Sequence, residues 1–176
     1  MPDRRQHVAD AALRVVADGG LRALTHRAVD ARAEVPAGST SNYFRTREAL
    51  VTAVADRLAE LDRLAADRLA AAPPQTVEQV ADLIAAFAAW QTGEATAPAT
   101  RARLELATNL DLSAQHRGLL DRLTTVLAGA GVADPPAAAR RVADYLDGVV
   151  LHAVTIPGRT VDRAEVRAAA YALLTL

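Results

Sequence analysis

The sequence contains no cysteine. Disulfide bonds, zinc-thiolate sites and cysteine nucleophiles are therefore excluded, and the chain fits a reducing compartment. Lysine is also absent, because all 20 basic residues are arginine. Since these arginines are spread evenly along the chain, a GC-rich coding bias explains them better than a binding function does.

Long apolar segments are missing as well. No apolar run approaches the roughly 18 residues that a membrane-spanning helix needs. The N-terminal segment, MPDRRQHVADAALRVV, carries charges throughout and lacks the apolar core of a signal peptide. We therefore expect a soluble, cytoplasmic protein.

Aromatic residues make up only 3% of the chain, whereas Ala and Leu are abundant. This bias favours helices over strands. The net charge of −1 argues against indiscriminate binding to nucleic acid. The charge is uneven, however, since residues 1–50 hold eight Arg and six acidic residues, while residues 51–176 hold twelve Arg and fifteen acidic residues. A small, mildly basic domain attached to a larger, mildly acidic one fits this length and pattern.

Apolar residues recur at helical spacing, and no alternating run indicates a strand. We predict an all-α fold of about nine helices. Thr25 and Thr46 are predicted N-caps, and Gly19-Gly20 is predicted to end the first helix through positive φ angles. The predicted helices span about 3–17, 26–33, 38–44, 47–71, 76–92, 97–110, 113–129, 136–155 and 162–174.

The segment 21–44 has the layout of a helix-turn-helix, braced by the first helix. The second helix of such a motif enters the DNA major groove and needs short polar side chains that form hydrogen bonds. Here it carries the run Ser39-Thr40-Ser41-Asn42, a composition that is poor for a helix interior. Taken alone, the run also fits a solvent-exposed turn with capping residues.

The wider pattern from Leu24 to Leu50 is L-T-x-R-x7-V-P-A-G-S-T-S-N-Y-F-x-x-R-E-A-L. It closely resembles the N-terminal signature of the TetR/AcrR family of bacterial transcriptional regulators. The resemblance covers about the first 50 residues, and the remainder resembles the family only in its helical layout. It implies a helix-turn-helix DNA-binding domain at 1–46, a ligand-sensing and dimerisation domain at 47–176, and a connecting helix at 47–71. The expected protein is a homodimeric repressor that a small-molecule effector releases from a near-palindromic, double-stranded DNA operator.

The resemblance also implies the functional residues. Those expected to contact DNA are Thr25, Arg27, Ser39, Thr40, Ser41, Asn42, Tyr43 and Arg47. Those expected to line a ligand pocket are Phe87, Trp90, Arg103, Leu106, Asn109, His116 and Leu120. Those expected at the dimer interface, on two helices with apolar stripes wider than one neighbour would cover, are Val142, Tyr145, Leu146, Val149, His152, Val166, Ala170 and Leu173.

Three positions in or near the motif, Phe44, Arg47 and Glu34, have other expected roles. Phe44 is expected to pack the small domain. Arg47 stands where the family usually has Lys, and it keeps the positive charge. Glu34 stands where the family usually has Gly, and since Gly adopts left-handed conformations at less cost, we expect a local change in the shape of the turn.

The motifs of two enzyme classes are missing from the sequence. A carboxylate-bridged di-iron enzyme needs paired Glu-x-x-His motifs, and none of the four histidines has Glu three residues before it. A serine hydrolase needs a strand-helix elbow, and no strand is predicted. We therefore expect no enzymatic activity, no catalytic residue, no metal and no cofactor. The alternative that stays open is a helical adaptor that binds a protein partner and not DNA.

Overall fold

The computed structural model describes residues 3–70 and 72–176. Within these residues the fold is all-α, as predicted, with nine helices and no strand. The predicted end of the fourth helix at Ala71 lies outside the described residues. The helices are α1 (Arg4–Ala23), α2 (His26–Arg32), α3 (Ser39–Tyr43), α4 (Arg47–Leu69), α5 (Val77–Thr92), α6 (Ala97–Ala107), α7 (Ser113–Gly129), α8 (Pro135–Thr155) and α9 (Arg163–Leu174).

The first helix is longer than predicted. Gly20 adopts a positive φ of 70°, as the sequence predicts, but the chain resumes a helical path and α1 continues to Ala23 after this kink. Both predicted caps form. The hydroxyl oxygen of Thr25 accepts a hydrogen bond from the amide of Ala28, and that of Thr46 accepts one from the amide of Ala49.

The chain divides into two compact units, each described here by itself. Unit 1 comprises the residues up to Asp62 together with Pro98–Leu112, and unit 2 comprises Arg63–Ala97 and Ser113–Leu176. This division differs from the predicted boundary between residues 46 and 47. The first part of α4 and most of α6 belong to the same unit as the helix-turn-helix, because they share one hydrophobic core with it.

Unit 1 is built around side chains from α1, α2, α4 and α6. Phe44, at the end of α3, is 3% exposed and belongs to this core, which confirms its assignment to packing. An ion pair of 2.6 Å between Arg57 and Asp10 joins α4 to α1. The largest fully buried side chains of the core are Val8, Val16, Leu24, Val29, Leu50, Val54 and Leu106.

Unit 2 is a bundle of α5, α7, α8 and α9. Helix α5 packs against α9 and α8, and α7 packs against α8. Alanines such as Ala81, Ala88 and Ala170 are completely buried and allow these helices to approach closely. In the part of the chain that the structure describes, no helix is both long and apolar enough to cross a membrane.

Candidate DNA interface and sensor residues

The turn between α2 and α3 contains a left-handed residue that is not glycine. Glu34 has a φ of 54° and an exposed side chain. The expected change in the shape of the turn is therefore wrong, because Glu34 itself adopts the left-handed angle that Gly favours. Such a conformation costs a residue with a Cβ atom roughly 1–2 kcal/mol.

The exposed part of α3 consists of Ser41, Asn42 and Tyr43, while Ser39 is half-buried. The hydroxyl of Ser39 donates to the carbonyl of Pro36 at 2.6 Å, and that of Ser41 donates to the carbonyl of Gly38 at 2.7 Å. These hydroxyl oxygens can still accept hydrogen bonds from outside. The exposed amide of Asn42 has both donors and acceptor available, since nothing in 3–70 or 72–176 bonds to it.

Thr40 does not join this exposed surface. Its side chain is completely buried, and its hydroxyl donates to Asp30 Oδ1 at 2.6 Å. The expectation that Thr40 faces DNA is therefore wrong, because the side chain points into unit 1. The residue that sequence reasoning missed is Asp30 on α2, which is 4% exposed and accepts this hydrogen bond.

Histidines that sequence reasoning also missed fix helix ends in unit 1. The Nε2–H of His26 donates to the carbonyl of Phe44 at 2.6 Å, and that of His7 donates to the carbonyl of Ala33 at 2.9 Å. A signal was present in the sequence, because His26 and Asp30 are polar residues on the same face of α2 as the buried Val29.

The two arginines expected to contact DNA differ in their surroundings. Arg27 is exposed and forms no ion pair with any described residue. Arg47 is exposed, but one guanidinium nitrogen donates to the carbonyl of Leu21 at 2.5 Å. Since a guanidinium has five N–H donors, Arg47 keeps others for an external acceptor.

The residues expected to line a ligand pocket fall into both units. In unit 1, Leu106 is 1% exposed and packs in the hydrophobic core. The expectation that Leu106 lines a pocket is therefore wrong. Arg103 pairs with Asp62 at 2.5 Å and has a buried nitrogen, Nη1, without a hydrogen-bond partner among the residues described. The exposed Asn109 donates to the carbonyl of Glu105 at 2.8 Å.

Unit 2 holds the other four pocket candidates. The rings of Phe87 and Trp90 are half-buried, with centroids 5.3 Å apart and planes inclined by 34°. Leu120 is half-buried against the core of the unit, and His116 is exposed. Phe87 and Trp90 therefore form an aromatic pair that the core does not fully cover.

Three of the residues expected at the dimer interface are core residues of unit 2. Val142, Val166 and Ala170 are at most 3% exposed within a single chain, which leaves them no surface to offer a partner. The expectation is wrong for these three, because their faces of α8 and α9 are covered within unit 2.

The other dimer candidates keep some exposure. His152 is exposed, and Tyr145, Leu146, Val149 and Leu173 are half-buried. Burial and the nearby carboxylate of Glu165 raise the pKa of Tyr145. On α8 and α9, the exposed large apolar residues that the sequence did not single out are Leu151 and Tyr171.

Both parts of the chain match known sequence families. Residues 8–54 match bacterial regulatory proteins of the tetR family, and residues 75–176 match the tetracyclin repressor-like C-terminal domain. No curated protein matches the chain.

Several solved structures are similar over nearly the whole chain. The multidrug binding protein EbrR, solved with malachite green, is 29% identical with a TM-score of 0.76, and the match covers 99% of this chain and 100% of that one. A TetR family member from Streptomyces coelicolor A3, SCO1917, is 27% identical with a TM-score of 0.77, at coverages of 99% and 100%. SmeT, the repressor of the Stenotrophomonas maltophilia multidrug efflux pump SmeDEF, has a TM-score of 0.74 at coverages of 98% and 89%; at 20% identity it shows the fold alone.

Proposed function

Because this chain belongs to the TetR family of bacterial regulatory proteins, we propose that it is a homodimeric repressor that binds a near-palindromic operator and is released by a small-molecule ligand. Members of the TetR family are transcriptional regulators, and a helix-turn-helix is present in unit 1. The observation that carries the proposal is the polar, exposed surface of α3 formed by Ser41, Asn42 and Tyr43.

These side chains suit the major groove. The free amide of Asn42 can donate and accept at once, which is the pairing that adenine offers through its N7 and N6 atoms. The oxygens of Ser39 and Ser41 are acceptors for an amino group of a base, because their protons are held by backbone carbonyls. Arg27 would face base edges or nearby phosphates. Thr25, Tyr43 and Arg47 would contact the phosphate backbone, which positions the motif without reading sequence.

A dimer would place two copies of α3 about one DNA turn apart, roughly 34–36 Å. The proposed interface uses the partly exposed residues of α8 and α9, His152, Tyr145 and Leu173 among them. A self-complementary interface of this kind explains why the operator should be near-palindromic.

The proposed ligand is a lipophilic aromatic cation. EbrR has been solved with malachite green, a dye of this class. In this chain the partly exposed rings of Phe87 and Trp90 offer a surface on which a flat cation can stack. If ligand binding in the helical domain disfavours the DNA-bound arrangement by about 1–3 kcal/mol, this is enough to change operator occupancy.

The function is tested by selecting bound fragments of bacterial genomic DNA with the purified protein. We expect recovery of fragments that share a near-palindromic site, and malachite green should release them. The affinity for the recovered site should fall steeply with salt, since phosphate contacts release counterions. Failure to recover any shared site, or an affinity that is independent of salt, would favour the protein adaptor over the repressor.

A further inference from the structure

Helix α3 is too short to hold its own orientation. It spans Ser39–Tyr43, five residues, and consists mostly of residue types that form helices poorly. An isolated helix of this length is unstable, since a single turn does not offset the cost of nucleation. Its orientation must therefore come from contacts with the rest of unit 1.

Asp30 holds the beginning of α3. Its Oδ2 accepts a hydrogen bond from the amide of Gly38 at 2.7 Å, and its Oδ1 accepts from the amide of Thr40 at 2.8 Å and from the Thr40 hydroxyl. Gly38, at the N-cap position, has no side chain that could cap the helix. Asp30 thus performs this role from α2, and its negative charge suits a helix N-terminus.

The carboxylate is held in its charged form. Burial opposes ionisation, but the hydrogen bonds from Thr40 and Gly38, together with the nearby His26, outweigh burial and lower the pKa of Asp30. Because Asp30 occupies the amides at the beginning of α3, these amides are not available to a DNA phosphate.

His26 holds the other end of the same helix. Its Nε2–H donates to the carbonyl of Phe44, the residue that follows α3, and the amide of Phe44 donates to the carbonyl of Thr40. His26 and Asp30 are four residues apart, so they lie on one face of α2. Side chains on one face of α2 therefore form hydrogen bonds with both ends of α3.

We propose that Asp30 and His26 are positioning residues for DNA sequence recognition. Neither is expected to touch DNA, yet together they set the direction in which Ser41, Asn42 and Tyr43 project. The inference rests on the proposed function, because it concerns how α3 reads an operator. It predicts that loss of either contact lowers discrimination between sequences more than it lowers binding to DNA in general.

The test measures the affinity of the full chain for its selected operator and for a scrambled duplex of equal length. Asp30→Asn keeps the shape but loses the charge and one acceptor, and Asp56→Asn on exposed α4 surface is the matched control. We expect Asp30→Asn to reduce the ratio of the two affinities about tenfold, because charge-assisted hydrogen bonds are lost. Scrambled-duplex affinity and the control should stay within about twofold of the unmodified protein.

His26 offers an independent pair of variants if Asp30→Asn fails to fold. His26→Gln retains an N–H donor near the position of Nε2, whereas His26→Ala removes it. We expect His26→Ala to lose discrimination and His26→Gln to restore most of it, with helix content unchanged by circular dichroism. An unchanged affinity ratio in both Asp30→Asn and His26→Ala, or an equal loss on both duplexes, would overturn the positioning role alone. If the unmodified protein binds neither duplex, the proposed function fails and the inference fails with it.

Discussion

Glu105 on α6 accepts a hydrogen bond from the backbone amide of Leu21 at 3.2 Å. The backbone carbonyl of Leu21 accepts a hydrogen bond from the guanidinium of Arg47, at the start of α4. Leu21 follows the kink at Gly20, so the backbone of this one residue links α1 to α6 through its amide and to α4 through its carbonyl. The kink brings Leu21 to both partners, because without the positive φ of Gly20 the helix would continue straight.

Gly20→Ala is therefore expected to destabilise unit 1. A Cβ atom at this position would take up a strained φ of 70° and lie 3.0 Å from the carboxylate of Glu105. We expect a loss of about 1–2 kcal/mol in the free energy of unfolding, measured by urea titration. Gly129→Ala is the control, since no atom lies within 4 Å of its added Cβ and its φ is not positive. Equal effects of the two substitutions would contradict the importance of the kink.

Glu34→Gly should stabilise the protein. The left-handed φ of Glu34 costs about 1–2 kcal/mol, and Gly removes this cost while losing about 0.5–1 kcal/mol to its greater freedom in the unfolded chain. A net gain of up to about 1.5 kcal/mol should appear in the same titration. Glu34→Ala is the control, because it shortens the side chain but keeps the strained backbone. A gain with Ala as large as with Gly would show that the side chain, and not the backbone, is responsible.

Asp30 gives unit 1 an acid-sensitive contact. Since the pKa of Asp30 is lowered in the folded state from its ordinary 3.8, its contribution to stability is present above that value and is lost as pH falls through the lower, folded pKa. The difference in melting temperature between the unmodified protein and Asp30→Asn should therefore shrink as pH falls from 6 to about 2.5. A difference that is constant over this range would mean that the charge of Asp30 contributes nothing.

Self-association should depend on the exposed apolar surface of α8. Leu151 is 41% exposed, and Leu151→Arg would place a charge in the proposed interface. Size-exclusion chromatography with light scattering should give twice the 18.5 kDa of one chain for the unmodified protein and a larger monomer fraction for the variant. Leu69→Arg on α4, at 38% exposure, is the matched control. A stable monomer of the unmodified protein at micromolar concentration would contradict the dimer.

Local patterns predicted the helices well, because caps and breaks are local. Thr25 and Thr46 cap their helices as predicted, and Gly20 adopts the predicted positive φ, although α1 continues beyond it. What these patterns could not reveal is which face of each helix another helix covers. Thr40 looked like a DNA contact because its neighbours are polar, and only the position of Asp30, ten residues away, turns it inward.

The same limit applies to the larger helices. The apolar stripes of α8 and α9, to which Val142 and Val166 belong, predict that one face of each helix is buried, but they do not say whether a partner chain or the same chain buries it. The core of unit 2 uses both residues. The sequence also assigned Leu106 to a different domain from the helix-turn-helix, because the two are far apart along the chain. In unit 1 both contribute to one hydrophobic core.

The exposed surface of α3 is proposed to read DNA sequence. The most direct measurement compares Asn42→Ala combined with Arg27→Ala against Arg117→Ala, an exposed arginine of α7, in gel-shift titrations with the selected operator and a scrambled duplex. We expect the double variant to lose at least tenfold in operator affinity and most of its discrimination, because one good base contact is worth about 1–3 kcal/mol. Arg117→Ala should bind like the unmodified protein. Unchanged affinity and specificity in the double variant would contradict the reading of DNA sequence by α3.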